Sequence, residues 1–297
     1  LRAICANIGL DWAFSAGYLE GPEARPRGVA PCEEKPVSDP RILVLTPVKD
    51  ALPHLDRHFE LLARLSYPAD RISIGLLEGD SSDGTYDALE ARLPALRQRY
   101  ARVGLWKKDF NFHFPQGTER WAPPLQIARR TVLAKARNHL LFHALDDEDW
   151  VLWIDVDVVD YPEDVIERLL AYKRDILNPH CIWEWGEGTF DWNAWRDKGL
   201  LHMNDLKAEG ELVRLDAVGG TMLMIRADRH RDGLIFPAFP YGRPNGRVRD
   251  PRIGEYETEG LGLMASDMGC QCWGLPFLEI KHYRERGDRD AETPPRS

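Results

Sequence analysis

Long apolar runs are missing from this 297-residue sequence. No segment approaches the ~20 consecutive apolar residues that a membrane-spanning helix needs, and residues 1–20 have neither the basic start nor the long apolar centre of a signal peptide. Cysteine is scarce as well. The five residues Cys5, Cys32, Cys181, Cys270 and Cys272 are odd in number and lack zinc-type pair spacing, so neither a disulfide framework nor a structural zinc site is indicated, and a reducing compartment fits best. Nor is there an excess of positive charge. A formal net charge of −9 argues against a nucleic-acid binder that relies on a basic face, and any phosphate has to be met by local residues. The remaining composition, 43% hydrophobic and 29% charged, is that of a globular chain long enough to bury a full core.

The stretch around which the chain is organised is Trp150-Val151-Leu152-Trp153-Ile154-Asp155-Val156-Asp157-Val158-Val159-Asp160. Its apolar run reads as a strand buried on both faces whose carboxyl end breaks into solvent. Alternate residues of an extended segment point the same way, so Asp155, Asp157 and Asp160 offer oxygen ligands to one hard divalent cation, and that cation would hold a diphosphate. The competing reading, that the acids end a strand and cap a helix opened by Pro162, suits Asp160 best.

Along the chain, residues 1–40 carry five prolines among mixed charges and read as an extended arm. Ile42-Leu43-Val44-Leu45-Thr46, closed by Pro47, is a first strand followed by a helix over about residues 52–65. Ile72-Ser73-Ile74-Gly75-Leu76-Leu77 is a second, delivering Glu78-Gly79-Asp80-Ser81-Ser82 before helical residues resume at Tyr86. In such βαβ units ligands sit outside the carboxyl ends of the strands, so the loops after Thr46 and Leu77 share one rim. Val103-Gly104-Leu105-Trp106 is a third strand, and residues 107–124 a loop. A helix over about residues 125–145 carries Arg129, Arg130 and Arg137, either as its solvated face or as guanidinium partners for a diphosphate. After a helix over residues 162–175 and a strand at 176–182, residues 183–195 hold four tryptophans with Glu184, Glu187, Asp191 and Asn193. That mixture suits the faces and hydroxyls of a sugar, or else builds a satellite core. Gly219-Gly220 opens the strand that runs to Ile225, permitting positive φ or close ligand approach unless it marks a bulge. Residues 236–252 read as a mobile loop over the rim. A helix runs from Gly260 to about Met268, strand ends follow at 272–276 and 278–283, and the chain closes in a charged tail.

Taken in order, a set of motifs resembles the fungal Golgi mannosyltransferases of the mannan-polymerase group, the Anp, Van and Mnn proteins. They are Leu45-Thr46-Pro47 with Lys49-Asp50-Ala51, Asp80-Ser81-Ser82, Ala136-Arg137-Asn138, Trp150-Val151-Leu152-Trp153 with Asp155-Val156-Asp157, Phe190-Asp191-Trp192-Asn193-Ala194-Trp195, Asp216-Ala217-Val218-Gly219-Gly220-Thr221, Phe236-Pro237-Ala238-Phe239, Glu257-Thr258-Glu259-Gly260, Gly274-Leu275-Pro276 and His282-Tyr283. Each is weak alone; the set is specific.

The resemblance implies an α/β fold of GT-A type: a Rossmann-like, mostly parallel central sheet flanked by helices, as a single domain over residues 41–285 between the arm (1–40) and a disordered tail (286–297). It also implies a metal-dependent, retaining transfer of mannose from GDP-mannose to a mannoside or other glycan. Mn2+ (or Mg2+) would be bound by Asp155, Asp157 and His282. Thr46, Pro47, Lys49, Glu78, Asp80, Ser81 and Ser82 would border the nucleoside, and Arg129, Arg130, Arg137, Asp155, Gly219 and Gly220 would complete the donor site. Asp191, Glu257 and Glu259 would be the carboxylates at the sugars, with Trp192, Asn193 and Trp195 toward the acceptor. The expected partners are the donor, the glycan acceptor and other subunits of a homo- or hetero-oligomer, with no nucleic acid and no membrane segment in this chain. The expected location is cytoplasmic if this is the whole chain and the Golgi lumen if an amino-terminal anchor precedes it. Two rival readings are a UDP-sugar-dependent GT-A transferase, because an Asp-x-Asp pair reads the diphosphate and not the base, and a non-catalytic sugar-binding subunit.

Overall fold

The computed structural model describes residues 39–113, 115, 122–186, 188–242 and 254–284. The expected arm up to residue 38, the tail, Glu187 and the greater part of the loop expected at 236–252 lie outside these residues.

The elements in chain order are β1 (Ile42–Val48), α1 (Leu55–Arg64), β2 (Ile72–Glu78), α2 (Thr85–Arg99), β3 (Arg102–Lys107), α3 (Pro123–Ala144), β4 (Trp150–Ile154), β5 (Val158–Asp160), α4 (Val165–Ala171), β6 (Ile176–Ile182), β7 (Trp195–Arg196), β8 (Leu201–His202), α5 (Met203–Leu206), β9 (Val213–Leu215), β10 (Met222–Arg226), α6 (Ala227–Arg231), α7 (Glu257–Asp267) and β11 (Cys272–His282). The main sheet runs β3-β2-β1-β4-β10-β6-β11-β5, with β9 on β11. Its pleat sorts side chains alternately into two cores. Ile42, Val44, Leu152 and Ile154 meet Leu55, Leu61 and Leu62 of α1, Leu89 of α2 and Val165 and Leu169 of α4. Leu43, Leu45, Val151 and Trp153 meet Leu140 and Ala144 of α3, Leu206 of α5 and Leu261 and Ala265 of α7. Both faces of β1 and β4 are thus covered, which is why these strands read as unbroken apolar runs.

The sheet directions decide where chemistry can gather. Strands β1, β2, β3 and β4 are mutually parallel. Strand β10 runs antiparallel to both β4 and β6, so β6 points the same way as β4, and β11 is parallel to β6. The carboxyl ends of β1, β2, β4, β6 and β11 therefore share one rim, together with the entrance of β10.

Three sequence expectations need correction. Residues 150–160 are not one extended segment: β4 ends at Ile154, residues 155–157 form a turn, and β5 starts at Val158. Its cause is a change of neighbour, since β4 lies between β1 and β10 whereas β5 pairs antiparallel with β11. Asp160 accordingly faces away from the cation expected there; it lies 3.5 Å from Arg57 and 3.8 Å from Arg64. It opens no helix either, because α4 is the short segment Val165–Ala171 and not the whole of 162–175. Finally, the two expected strand ends at 272–276 and 278–283 are one strand, β11, interrupted by a bulge between Leu275 and Glu279.

Candidate active site

Asp155 and Asp157 come together through the turn that leaves β4. The Asp155 amide donates to Thr221 O at 2.9 Å, tying the turn to the entrance of β10, and Val158 N closes it on Asp155 O at 3.3 Å. From the other side β11 delivers His282, whose register partner is Val158. Its Nδ1 donates to Tyr283 O at 2.6 Å, while Nε2 stands 3.1 Å from Asp157 Oδ1. With Nδ1–H committed to a carbonyl, Nε2 and the Asp157 oxygen meet favourably when a proton or a shared cation lies between them. Burial opposes that proton, but the hydrogen bond and charge of Asp157 outweigh it and hold the imidazole above its ordinary pKa. Burial, with the nearby charge of Asp157, pushes the Asp155 carboxyl up to about 6 against the pull of Arg137 and His282.

The counter-charge is Arg137, from the buried stripe of α3. Its Nη2 lies 3.0 Å from Asp155 Oδ1 and donates to Gly220 O at 3.2 Å, and its Nε lies 2.7 Å from Glu257 Oε1. The guanidinium carbon lies over the rings of Trp153, at 5.3 Å, and Phe236, at 5.5 Å, within cation–π range. Glu257 is the first residue of α7 and has φ 53°, a left-handed value costly for a residue with a side chain. Neighbouring contacts over-determine it: its amide donates to Pro237 O at 2.9 Å and Thr258 Oγ1 donates to Oε2 at 2.8 Å. Asp155, Asp157 and Glu257 thus set three carboxylates against one guanidinium. Such a donor set, oxygens and one imidazole nitrogen with an excess of negative charge, fits Mn2+. Among the described residues no group of three or more His, Cys, Asp or Glu is already drawn to ligand distances.

On the β1–β2 side the polar residues are engaged with one another. Asp80, at φ 59°, accepts from the amides of Phe110 (3.1 Å), Asn111 (2.9 Å) and Phe112 (3.3 Å), and these bonds, opposed by burial, hold its carboxyl below the usual range. Lys49 donates to Asp80 O at 2.5 Å, Ser81 Oγ receives the Asp50 amide, and Ser82 N donates to Asp50 Oδ1. Thr46 is fully buried, its hydroxyl 3.4 Å from His58 Nε2. Glu78 is the exception: buried, it takes Ser81 N on Oε1, whereas Oε2 has no hydrogen-bond partner among the described residues and lies 3.8 Å from Lys107.

The carboxylates expected at the sugars separate. Asp191 Oδ2 accepts from Thr221 N and Oγ1, at 3.2 and 3.0 Å, and Oδ1 from Asn193 N at 3.2 Å, so Asp191 ties the loop after β6 to the entrance of β10. Glu257 belongs with Arg137. Glu259 turns elsewhere, accepting from Trp195 Nε1 at 2.7 Å and pairing with Arg130, which also donates to Tyr256 O. Arg130 therefore serves α7, and Arg129 is partly buried. Trp195 is buried and lines a cavity of about 460 Å³ with Leu215, Asp216, Leu263 and Gln271. Trp192 packs edge-on against His202 at 4.5 Å. Gly219 and Gly220 both have ordinary negative φ, so the positive φ considered for them is not used. Close approach is what demands glycine: a Cβ would fall 2.1 Å from Asp191 Oδ2 at the first position and 2.6 Å from Arg137 Nη2 at the second.

Two aromatic residues go beyond the sequence expectations. Phe190 stacks on the His282 ring, centroids 3.9 Å apart and 24° between planes, and Trp183 packs edge-on against Phe190 at 4.2 Å. Phe190 begins the Phe-Asp-Trp-Asn run, but nothing local tells that it faces a residue 92 positions later.

A GT-A glycosyltransferase fold is also what comparison with solved structures returns. The mannosyltransferase PcManGT from Pyrobaculum calidifontis, solved with GDP-Man and Mn2+, matches with TM-score 0.53 at 16% identity over 89% of this chain and 62% of that one. TarS 1–349 from S. aureus, with UDP-GlcNAc, matches with TM-score 0.51 at 14% identity over 82% of this chain and 59% of that one. In sequence, the mannan polymerase II complex anp1 subunit of Schizosaccharomyces pombe is 29% identical over 84% of this chain, which spans 65% of that protein. The mannan polymerase complex subunit mnn9 of the same yeast is 29% identical over 82% of this chain, which spans 80% of it. A profile of the Anp1 family matches residues 32–202 and 198–240, and the chain belongs to that family.

Proposed function

We propose that this chain is a metal-dependent mannosyltransferase that takes mannose from GDP-mannose and passes it, with retention at the anomeric carbon, to a mannoside or other glycan. The observation that carries the reading is the facing pair of Asp157 Oδ1 and His282 Nε2, 3.1 Å apart with Nδ1 committed to Tyr283 O, beside Asp155. Asp155, Asp157 and His282 would hold Mn2+, whose positive charge stabilises the leaving diphosphate. Arg137, 3.0 Å from Asp155 Oδ1, favours the ionised form of that carboxylate against the effect of burial. Glu257, clamped by Arg137 and Thr258, sets a fixed negative field next to it, suited to positive charge that develops at an anomeric carbon. Glu78, with one unsatisfied carboxylate oxygen at the end of β2, suits a hydrogen-bond donor of the nucleoside. The Asp191 loop, carrying Trp192 and Asn193, would face the acceptor. The named complexes of its relatives support action beside other subunits. Among the described residues no helix is long and apolar enough to cross a membrane.

The test uses purified protein. Asp157→Ala abolishes Mn2+-dependent GDP release from GDP-mannose, and unchanged turnover overturns the metal assignment. A thermal-shift comparison of GDP-mannose, UDP-glucose and UDP-N-acetylglucosamine, each with Mn2+, separates the donors. Stabilisation by the UDP-sugars alone would move the reading to the UDP-dependent alternative, and no donor turnover at all would favour a non-catalytic subunit.

A further inference from the structure

Helix α3 carries Arg137 on its buried face, and two and six residues on, across the helix, stand His139 and His143. Positions i and i+4 lie one above the other on a helix, and the two imidazole centroids are 4.1 Å apart, with 37° between their planes. His143 Nδ1 donates to His139 O at 2.7 Å, so its Nε2 is left outward with the lone pair. A ring nitrogen donated to a backbone carbonyl while the other faces outward is the arrangement that metal-ligating histidines adopt. The place is accessible. His139 is half-buried, His143 exposed and Phe142 between them 66% exposed, whereas Leu140, Leu141 and Ala144 anchor the same turns in the core. Trp106 of β3 packs edge-on to His143 at 6.3 Å. Burial, with the nearby charges of His143 and Lys108, lowers the pKa of the His139 imidazole, which favours its neutral form.

We propose that His139 and His143 form a second, bidentate metal site, on the outer face of α3, for a borderline divalent transition ion such as Zn2+, Ni2+ or Cu2+. Two neutral imidazoles suit those ions and offer little to Mn2+ or Mg2+, which favour oxygen ligands. The site is thus chemically distinct from the acid-rich rim and does not depend on what the rim binds. Water completes the coordination, so binding is moderate and falls as the imidazoles protonate.

Isothermal titration with Ni2+ and with Zn2+ tests this on the intact chain, using His143→Ala, His139→Gln and His282→Ala. The expected result is a binding event weakened by about tenfold or more in either α3 variant, retained in His282→Ala, with Mn2+ titration unchanged in His143→Ala. Quenching of Trp106 fluorescence by Cu2+, read as the difference from a Trp106→Phe chain, should vanish in His143→Ala. Ni2+ and Zn2+ affinities unchanged in both α3 variants, or a binding event lost only with His282, overturn the proposal.

Discussion

The two halves of the rim are built on opposite principles. On the β1–β2 side Asp80, Asp50, Ser81, Ser82 and Lys49 satisfy one another, mostly through backbone amides, and the result is a self-contained loop scaffold. On the β4–β11 side Asp155, Asp157, Arg137, Glu257 and His282 meet as whole charges, and the sum stays negative. The first half sets a shape; the second is an electrostatic cage short of positive charge. A buried ion pair contributes little net stability but is expensive to break, since the partner left behind is an uncompensated charge.

The sharpest way to break this contrast is Arg137→Ala, which strands Asp155 and Glu257. The expected loss is about 3–5 kcal/mol in urea unfolding, and a loss under about 1 kcal/mol would mean that the cage is no tighter than a surface pair. Next in size is acid, which strikes a buried support behind each half. His58, beside Thr46, and His230, which meets Leu234 O at 2.7 Å, are held neutral by burial, with pKa values lowered to about 4. Because the unfolded chain takes up a proton near pH 6.5 and the folded one does not until about 4, stability is full above 6.5 and falls as pH drops through that window, by up to about 3 kcal/mol per residue. Stability against pH should lose one proton's worth of slope in His230→Gln, and the same in His58→Gln; unchanged slopes would remove these residues from the account.

Asp80→Ala is the matching test of the first half. It leaves three amides without their acceptor and should cost about 1–3 kcal/mol, while leaving Mn2+ binding as it was. A fall in Mn2+ affinity would show that the halves are coupled. The smallest effect is expected from Phe190→Leu, which keeps apolar volume but removes the ring stacked on His282. Mn2+ affinity, followed by thermal shift, should fall by about 0.5–1.5 kcal/mol, and identical affinity would mean that Nδ1 bonding alone orients the imidazole.

Much of the fold was legible because β1, β2 and β4 are buried on both sides and read as apolar runs, and because α1 carries Leu55, His58, Leu61 and Leu62 at helical spacing. The turn at 155–157 was not, since its cause is the partner that β5 finds in β11 more than a hundred residues on. Asp155 and Asp157 stood out as acids on an apolar strand, yet the extended geometry assumed for them was incorrect. Glu257 and Glu259 look alike in the chain; the start of α7 turns the first toward Arg137 and the second toward Trp195 and Arg130.

By itself the sequence determined the alternation of strands and helices, the acids at the end of β4 and the glycine pair before β10, because these rest on local pattern and on which side chains tolerate burial. Only the tertiary structure decided that His282 faces Asp157, that Phe190 stacks upon it, and that Arg137 lies between Asp155 and Glu257. Those contacts join residues 18 to 125 positions apart, and what sets them is the order and direction of strands in the sheet, which no local pattern encodes.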